Sequence, residues 1–349
     1  MTATLETASS RAGRLLRRRR TLAAVERWAG PVWLWGLLLA TLVVSALAVP
    51  DFAHWQNPSN VLQQAVPLGI VAMGETIVIL TGGIDISVAA TVSLGDTMAM
   101  GLMNGRSDRI WLAVLLPVLA GAVVGLVNGV ITARARVPAF IVTLGMASAI
   151  QGVVFWYTGS ATYGTPADAM VELGFAQWGP LPAVVVLWLP LFAAALFQQN
   201  RTRFGRHMYA VGGNEASARL AGVAVDRVKV AAYVICGATA ALAGVVLTTR
   251  TGGGEPLAGI GYDWDAIAAV VIGGTLLRGG KGGLAGTVLA VAVLSVVSNV
   301  MNLAGVSAFW QSAVKGVIVL GAVMVAAIVA LRPLEILRLL RERARGGRV

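Results

Sequence analysis

Stretches of roughly 20 apolar residues, separated by short polar or glycine-rich breaks, recur along almost the whole chain. A bilayer core about 30 Å thick is crossed by a helix of about 20 such residues. The pattern predicts membrane segments near 31–49, 61–81, 84–104, 111–132, 138–157, 181–197, 228–249, 264–277, 284–301 and 311–331. The implied fold class is an all-α polytopic membrane protein with about ten transmembrane helices. The segment at 264–277 is short and bounded by glycines, which suits a tilted, broken or re-entrant element held against protein or water. One long polar stretch breaks the pattern: Arg201 to Lys229, RTRFGRHMYAVGGNEASARLAGVAVDRVK. It is longer than a connection between two spans requires.

Composition agrees, with 57% hydrophobic and 12% charged residues leaving no room for a soluble domain. The formal charge of +11 raises the question of nucleic acid. The basic residues, however, lie in loops and tails and form no aromatic-interleaved patch on a folded domain, so the charge points to membrane lipids and orientation instead. Cytoplasmic segments carry the excess of Lys and Arg. Placing the N-terminus inside puts 23 of the 27 in cytoplasmic segments, leaves Arg106, Arg109 and Arg250 outside, and sets Lys315 just inside the last span. Both termini are then cytoplasmic. The chain divides into a basic segment at 1–30, a transmembrane domain at 31–331 with a cytoplasmic loop at 200–229, and a basic tail at 332–349. Leu334, Leu337 and Leu340 make that tail amphipathic, suited to the membrane surface. Arg17 to Arg20 read as a topogenic cluster. Ala46-Leu47-Ala48 resembles a signal cleavage site, but the preceding apolar core is longer than a usual signal core, which favours an uncleaved helix.

Ionisable residues within spans are functional candidates because burying them is expensive. Glu75, followed by Thr76, lies in the second predicted span; Asp85 lies in TGGIDIS, two residues before Ser87; Asp96 lies further on, beside Ser93 and Thr97. These residues are candidates for a polar translocation path. For Asp85 a helix-start role, satisfying free N–H groups, fits equally well; Glu75 and Asp96 could instead pack against neighbouring helices. Cys236 sits in an apolar run with no disulfide partner or metal-ligand spacing, so no metal site is expected.

Several function classes are excluded. His54 and His207 fall in loops, so no ion relay runs through the spans, and the chain has no HExxH, GxSxG or Walker A motif. No catalytic residue and no bound cofactor are expected. Gly279-Gly280-Lys281-Gly282-Gly283 lacks the ending of a phosphate loop and reads as a tight turn. In the outer loop Thr251 to Trp264, Glu255 and Asp263 beside Tyr262 and Trp264 would suit sugar recognition, although aromatic anchoring at the interface accounts for the rings as well.

Within the polar stretch, Asn214 is a good N-cap, Glu215 and Arg219 pair at i,i+4, and Gly222 ends a helix in the left-handed region. A short helix over 215–221 follows, with Ala216, Ala218, Leu220 and Ala221 on its exposed face. Such a face suits a groove on a partner, or else the lipid headgroups.

TGGIDISVAA at 81–90, VPAFIVTLG at 137–145, the polar stretch itself, GYDWDAIAAVVIGGT at 261–275 and GGKGGLAGT at 279–287 together resemble the permease subunits of bacterial ATP-binding-cassette importers of the ribose, xylose and rhamnose type. The matches run in order over roughly 60–325. The resemblance implies a multi-pass protein of the plasma (inner) membrane, pairing with a second permease copy or a paralogue. It also implies two cytoplasmic ATPase subunits that bind ATP and Mg, and a periplasmic or lipid-anchored sugar-binding protein. By resemblance, Gly213, Asn214, Glu215, Ala216, Ala218, Arg219, Leu220 and Gly222 form the coupling surface for the ATPase. The chain departs from the family where Ser87-Val88-Ala89-Ala90 replaces a common Ser-Val-Gly-Ser, and Glu75 and Asp96 stand at positions often neutral. The particular cargo is therefore not implied. Relatives also carry autoinducer-2 and polyols, and a distant branch carries branched-chain amino acids; a self-contained secondary carrier is the remaining alternative.

Overall fold

The computed structural model describes residues 33–307, 310–318, 320–321 and 324. The predicted N-terminal basic segment, most of the C-terminal span's second half and the amphipathic tail lie outside the described residues.

The described chain is helical almost throughout. In order it forms α1 (Trp33–Ala48), α2 (Asn57–Leu80), α3 (Val88–Met103), α4 (Ile110–Arg134), α5 (Ala139–Thr158), α6 (Asp168–Phe175), α7 (Ala183–Arg201), α8 (Arg203–Gly213), α9 (Glu215–Leu220), α10 (Val225–Leu247), α11 (Tyr262–Ile272) and α12 (Leu284–Leu303). A further helical stretch begins at 310. A two-residue antiparallel pair, β1 (Gln177–Trp178) with β2 (Leu181–Pro182), joins α6 to α7.

Six helices among the described residues are long and apolar enough to cross a membrane: α2, α4 with the short turn before it, α5, α7, α10 and α12. The protein is therefore an all-α polytopic membrane protein. At 1.5 Å per residue, the 16-residue α1 and α3 reach only about 24 Å. The 11-residue α11 is shorter than the expected 264–277 segment and reaches about 16 Å. It ends at Gly273, and Gly274 then takes φ +85°, which only glycine adopts readily. Every residue from Ala266 to Ile272 is buried, as a partial element in a bilayer requires.

The centre of the bundle is α10, packed against α4, α3 and α2. Small residues bring these axes close. Gly121, Gly125 and Gly129 recur at four-residue spacing on α4, and a Cβ at Gly121 or Gly125 would run into the carbonyl oxygens of Gly237 or Tyr233 on α10. Around this core α2 is buried continuously from Val66 to Leu80. By contrast α5 buries only Thr143, Val154 and Thr158 and presents Phe140, Ile141, Leu144 and Trp156 outward. That outer surface suits hydrocarbon.

Loops gather at two ends. One holds 81–87, 135–138, 202–224 and 273–283; the other holds 159–182 and 248–261, tied by the Tyr163–Gly254 bridge.

Candidate functional site

The polar stretch folds as a helical elbow. Thr202 Oγ1 accepts the Gly205 N–H at 3.1 Å and caps α8. Phe204, Met208 and Val211, at helical spacing, then turn towards the core. Asn214 joins the two helices: its N–H donates to Ala210 O at 3.1 Å and its Oδ1 accepts the Ser217 N–H at 2.8 Å, capping α9. The predicted N-cap is present. The helix closes one residue earlier than expected, at Leu220, with Gly222 at φ +81° and the Val223 N–H on Ala218 O at 3.0 Å.

Ala218 corrects the expected exposed face. It is 5% exposed and belongs to the core, whereas Leu220 is 91% exposed and Ala216 and Ala221 are open. The reason is the closing turn, which folds Val223 back over the side of α9 that carries Ala218.

Charges lock this elbow to α10. Glu215 accepts from Arg219 at 3.3 Å and from Lys229 at 2.5 Å, and Arg219 also reaches Asp226 at 2.8 Å. The hydrogen-bonded Lys229 ammonium holds the Glu215 carboxyl below its ordinary range. A cavity of about 310 Å³ opens beside Glu215 and Lys229, walled by Thr81, Arg136 and Tyr233.

The elbow rests on two glycine-rich turns. A Cβ at Gly212 would meet the Leu80 carbonyl and the Gly280 N–H, and Gly280 N donates to Leu80 O at 3.1 Å. The GGKGG segment is thus a turn wedged between α2 and α8.

The buried polar residues separate into two groups. In the first, Glu75 Oε1 accepts the Asp85 N–H at 3.2 Å, and Cys236 Sγ lies 3.6 Å from Glu75 Oε2. Asp85 Oδ1 accepts from the Ser87 N–H at 3.0 Å, the Ser87 hydroxyl at 2.6 Å and Asn128 Nδ2 at 3.4 Å. Asp85 therefore serves the backbone of Ser87, just before α3, and also binds α4 through Asn128; α3 itself starts without a side-chain cap. Thr76 turns away and pairs with Thr287 of α12 at 2.9 Å.

In the second group, Asp96 Oδ2 accepts the Glu255 N–H at 2.8 Å and Ser93 Oγ accepts the Gly259 N–H at 2.9 Å. These side chains of α3 hold the glycine-rich loop at the far end. Glu255 itself accepts from the Thr162 hydroxyl at 2.7 Å. Asn128 joins the first group and Thr287 pairs with Thr76, while Gln199 and Tyr209 bond each other beside the Gly279–Gly283 turn, although the sequence alone did not single out any of the four. The amphipathic spacing of Phe204, Met208 and Val211 behind Thr202 was the available signal for α8.

Among the described residues the bundle thus has a capped elbow at one end, two embedded acidic sites and six helices long and apolar enough to cross a membrane. Residues 57–328 match the model of the branched-chain amino acid transport system / permease component family. The chain belongs to this family. Within it, the chain is 41% identical to the ribose import permease protein RbsC of Escherichia coli (strain K12) over 294 residues, covering 83% of this chain and 91% of that one. It is 39% identical to the Bacillus subtilis (strain 168) protein of the same name, covering 83% and 90%. It is 34% identical to the L-arabinose transport system permease protein AraH of Escherichia coli (strain K12), covering 84% and 91%. No solved structure matches. The permease match spans the elbow, both glycine-rich turns and both acidic sites.

Proposed function

We propose that the chain is the permease subunit of an ATP-binding-cassette importer carrying a monosaccharide or similar small polyol across the bacterial plasma membrane. The observation that carries this is the 41% identity to a ribose import permease along 91% of that protein's length. The family description names branched-chain amino acids, but the ribose and arabinose permeases among the relatives favour a sugar. About ten spans with both termini cytoplasmic, a second permease copy or paralogue, a pair of ATPase subunits and a sugar-binding protein complete the proposed assembly.

In this assembly α9 is the coupling helix. Leu220, Ala216 and the Glu215–Arg219–Asp226 ion network meet the ATPase, while Ala218 carries the movement into the bundle. ATP binding draws the ATPase subunits together, α9 follows, and the spans expose the pathway to the binding protein; hydrolysis resets it. No covalent chemistry occurs in this chain, and ATP and Mg are bound by the partner. In this reading Glu75, Asp85 and Ser87, gathered around the α2–α3 turn, are the candidates for the translocation path, and Asp96 holds the outer loop.

Reconstitution tests the proposal. Proteoliposomes holding this chain, an ATPase and a binding protein should accumulate labelled ribose or arabinose only with ATP. Accumulation by this chain alone under an ion gradient would establish a secondary carrier instead.

A further inference from the structure

The Gly279–Gly283 turn is held by a clasp of two side chains. Gln199, in the last turn of α7 and 7% exposed, accepts the Leu284 N–H through Oε1 at 2.9 Å. Its Nε2 donates to the Tyr209 hydroxyl at 2.9 Å, and that hydroxyl donates to Gly282 O at 2.8 Å. The two side chains, from α7 and α8, thus bracket both sides of Gly283 at the start of α12. The turn needs such support because Gly282 sits at φ +118° and has no side chain to anchor it. On its other side the Gly280 N–H is bonded to Leu80 O at the end of α2.

We infer that Gln199 and Tyr209 are positioning residues that make the Gly279–Gly283 turn a second coupling element, moving as one body with α8 and α9. The inference rests on the proposed coupling role of α9. The mechanical sequence is continuous. Asn214 fixes α9 to α8, Tyr209 fixes α8 to the turn, and the turn passes displacement to α12 through Leu284 and to α2 through Leu80. Thr76 and Thr287 join α2 and α12 again deeper in the bundle at 2.9 Å. A push on α9 therefore reaches two spans together, one of which carries Glu75.

Tyr209→Phe keeps the ring and removes both hydroxyl bonds; Gln199→Leu keeps the bulk and removes the amide. In the reconstituted complex each should retain assembly and basal ATP hydrolysis while losing binding-protein-stimulated hydrolysis and ribose uptake by roughly fivefold or more, the usual scale of coupling between sites. The double variant should be no worse than either single one, since the clasp acts as a unit. Normal stimulation in both single variants, or additive losses, overturns the inference. A physical measurement covers the case of poor assembly. Spin labels at Ser217→Cys and Lys281→Cys, both exposed positions outside the proposed docking contacts, should keep one distance distribution in the otherwise native complex before and after ATP trapping. A shifted distribution overturns the rigid-body link. If the complex without substitutions shows no ATP-driven uptake, the transport proposal itself falls, and the clasp's coupling role with it.

Discussion

Ala218 and Leu220 stand two residues apart on α9 and face opposite ways, one 5% and the other 91% exposed. The short helix thus has an inner side fixed to the bundle and an outer side open to a partner. Leu220→Asp places a charge where an apolar contact is expected, without disturbing the core. It should leave insertion and thermal stability unchanged while reducing ATPase co-purification tenfold or more, about 1.4 kcal/mol of binding. Retention of the ATPase at normal stoichiometry would count against docking at this face. Ala218→Trp is the wrong probe for docking, because overpacking a buried site costs about 1–3 kcal/mol by itself.

The ion network gives α9 a pH dependence. The Glu215 carboxyl is held below its ordinary value, first by Lys229 and then by Arg219. A carboxylate with a depressed folded value adds stability that is complete above its unfolded value, near 4 to 4.5, and is lost as pH falls through the folded value. Hydrogen-exchange protection of residues 215–220, corrected for intrinsic rates, should therefore be level above pH 5 and decline below about 4. Because these side chains are partly exposed, the loss should be modest, about 0.5–1 kcal/mol. Glu215→Gln should flatten much of the decline, and an unchanged profile in that variant would remove Glu215 as its source.

Much of this elbow is legible in the chain: Asn214, Glu215 and Gly222 announce a start, a first turn and a stop. Ala218 is not, since alanine is small enough for either face and its burial follows from where Val223 folds back. The polar character of residues 201–213 hid α8, whose apolar contacts recur only at Phe204, Met208 and Val211. The candidate acids were identifiable by type but not by partner. Asp96 bonds to a backbone N–H 159 residues away, and single-sequence periodicity carries no such pairing.

That long-range bond yields a third prediction. Asp96→Ala leaves the Glu255 N–H without its acceptor, a cost of about 1–3 kcal/mol when buried, whereas Asp96→Asn retains an acceptor oxygen. Protease cleavage within 252–261 should increase markedly in the alanine variant and little in the asparagine variant, measured on right-side-out vesicles. Equal cleavage in both would mean that charge, not the hydrogen bond, secures the loop.

The helix crossing of α4 and α10 sets a stability prediction. A side chain at Gly125 meets the Tyr233 carbonyl, which is backbone and cannot swing aside. Gly125→Val should lower the yield of inserted protein and its melting temperature sharply, consistent with a cost of several kcal/mol from separating two core helices. Gly145→Ala, where a Cβ finds open space, should do neither.

Cys236 offers a direct test of whether Glu75 lines a pathway or a packed core. Its sulfur is fully buried and lies against Glu75, and it is the chain's single cysteine, so any maleimide label reports this site. The resting protein should remain unlabelled until denatured. If α2 and α10 part during transport, labelling should appear in the assembled importer during ATP turnover and be absent without ATP. If the pair is only packing, turnover should change nothing. Substitutions then separate the two roles. Glu75→Gln preserves an acceptor for the Asp85 N–H, so a purely structural Glu75 predicts normal uptake in that variant and impaired assembly in Glu75→Ala. A pathway role predicts the reverse emphasis, with assembly intact and uptake reduced in both, because a carboxyl exposed during transport is read by the cargo and not by the fold.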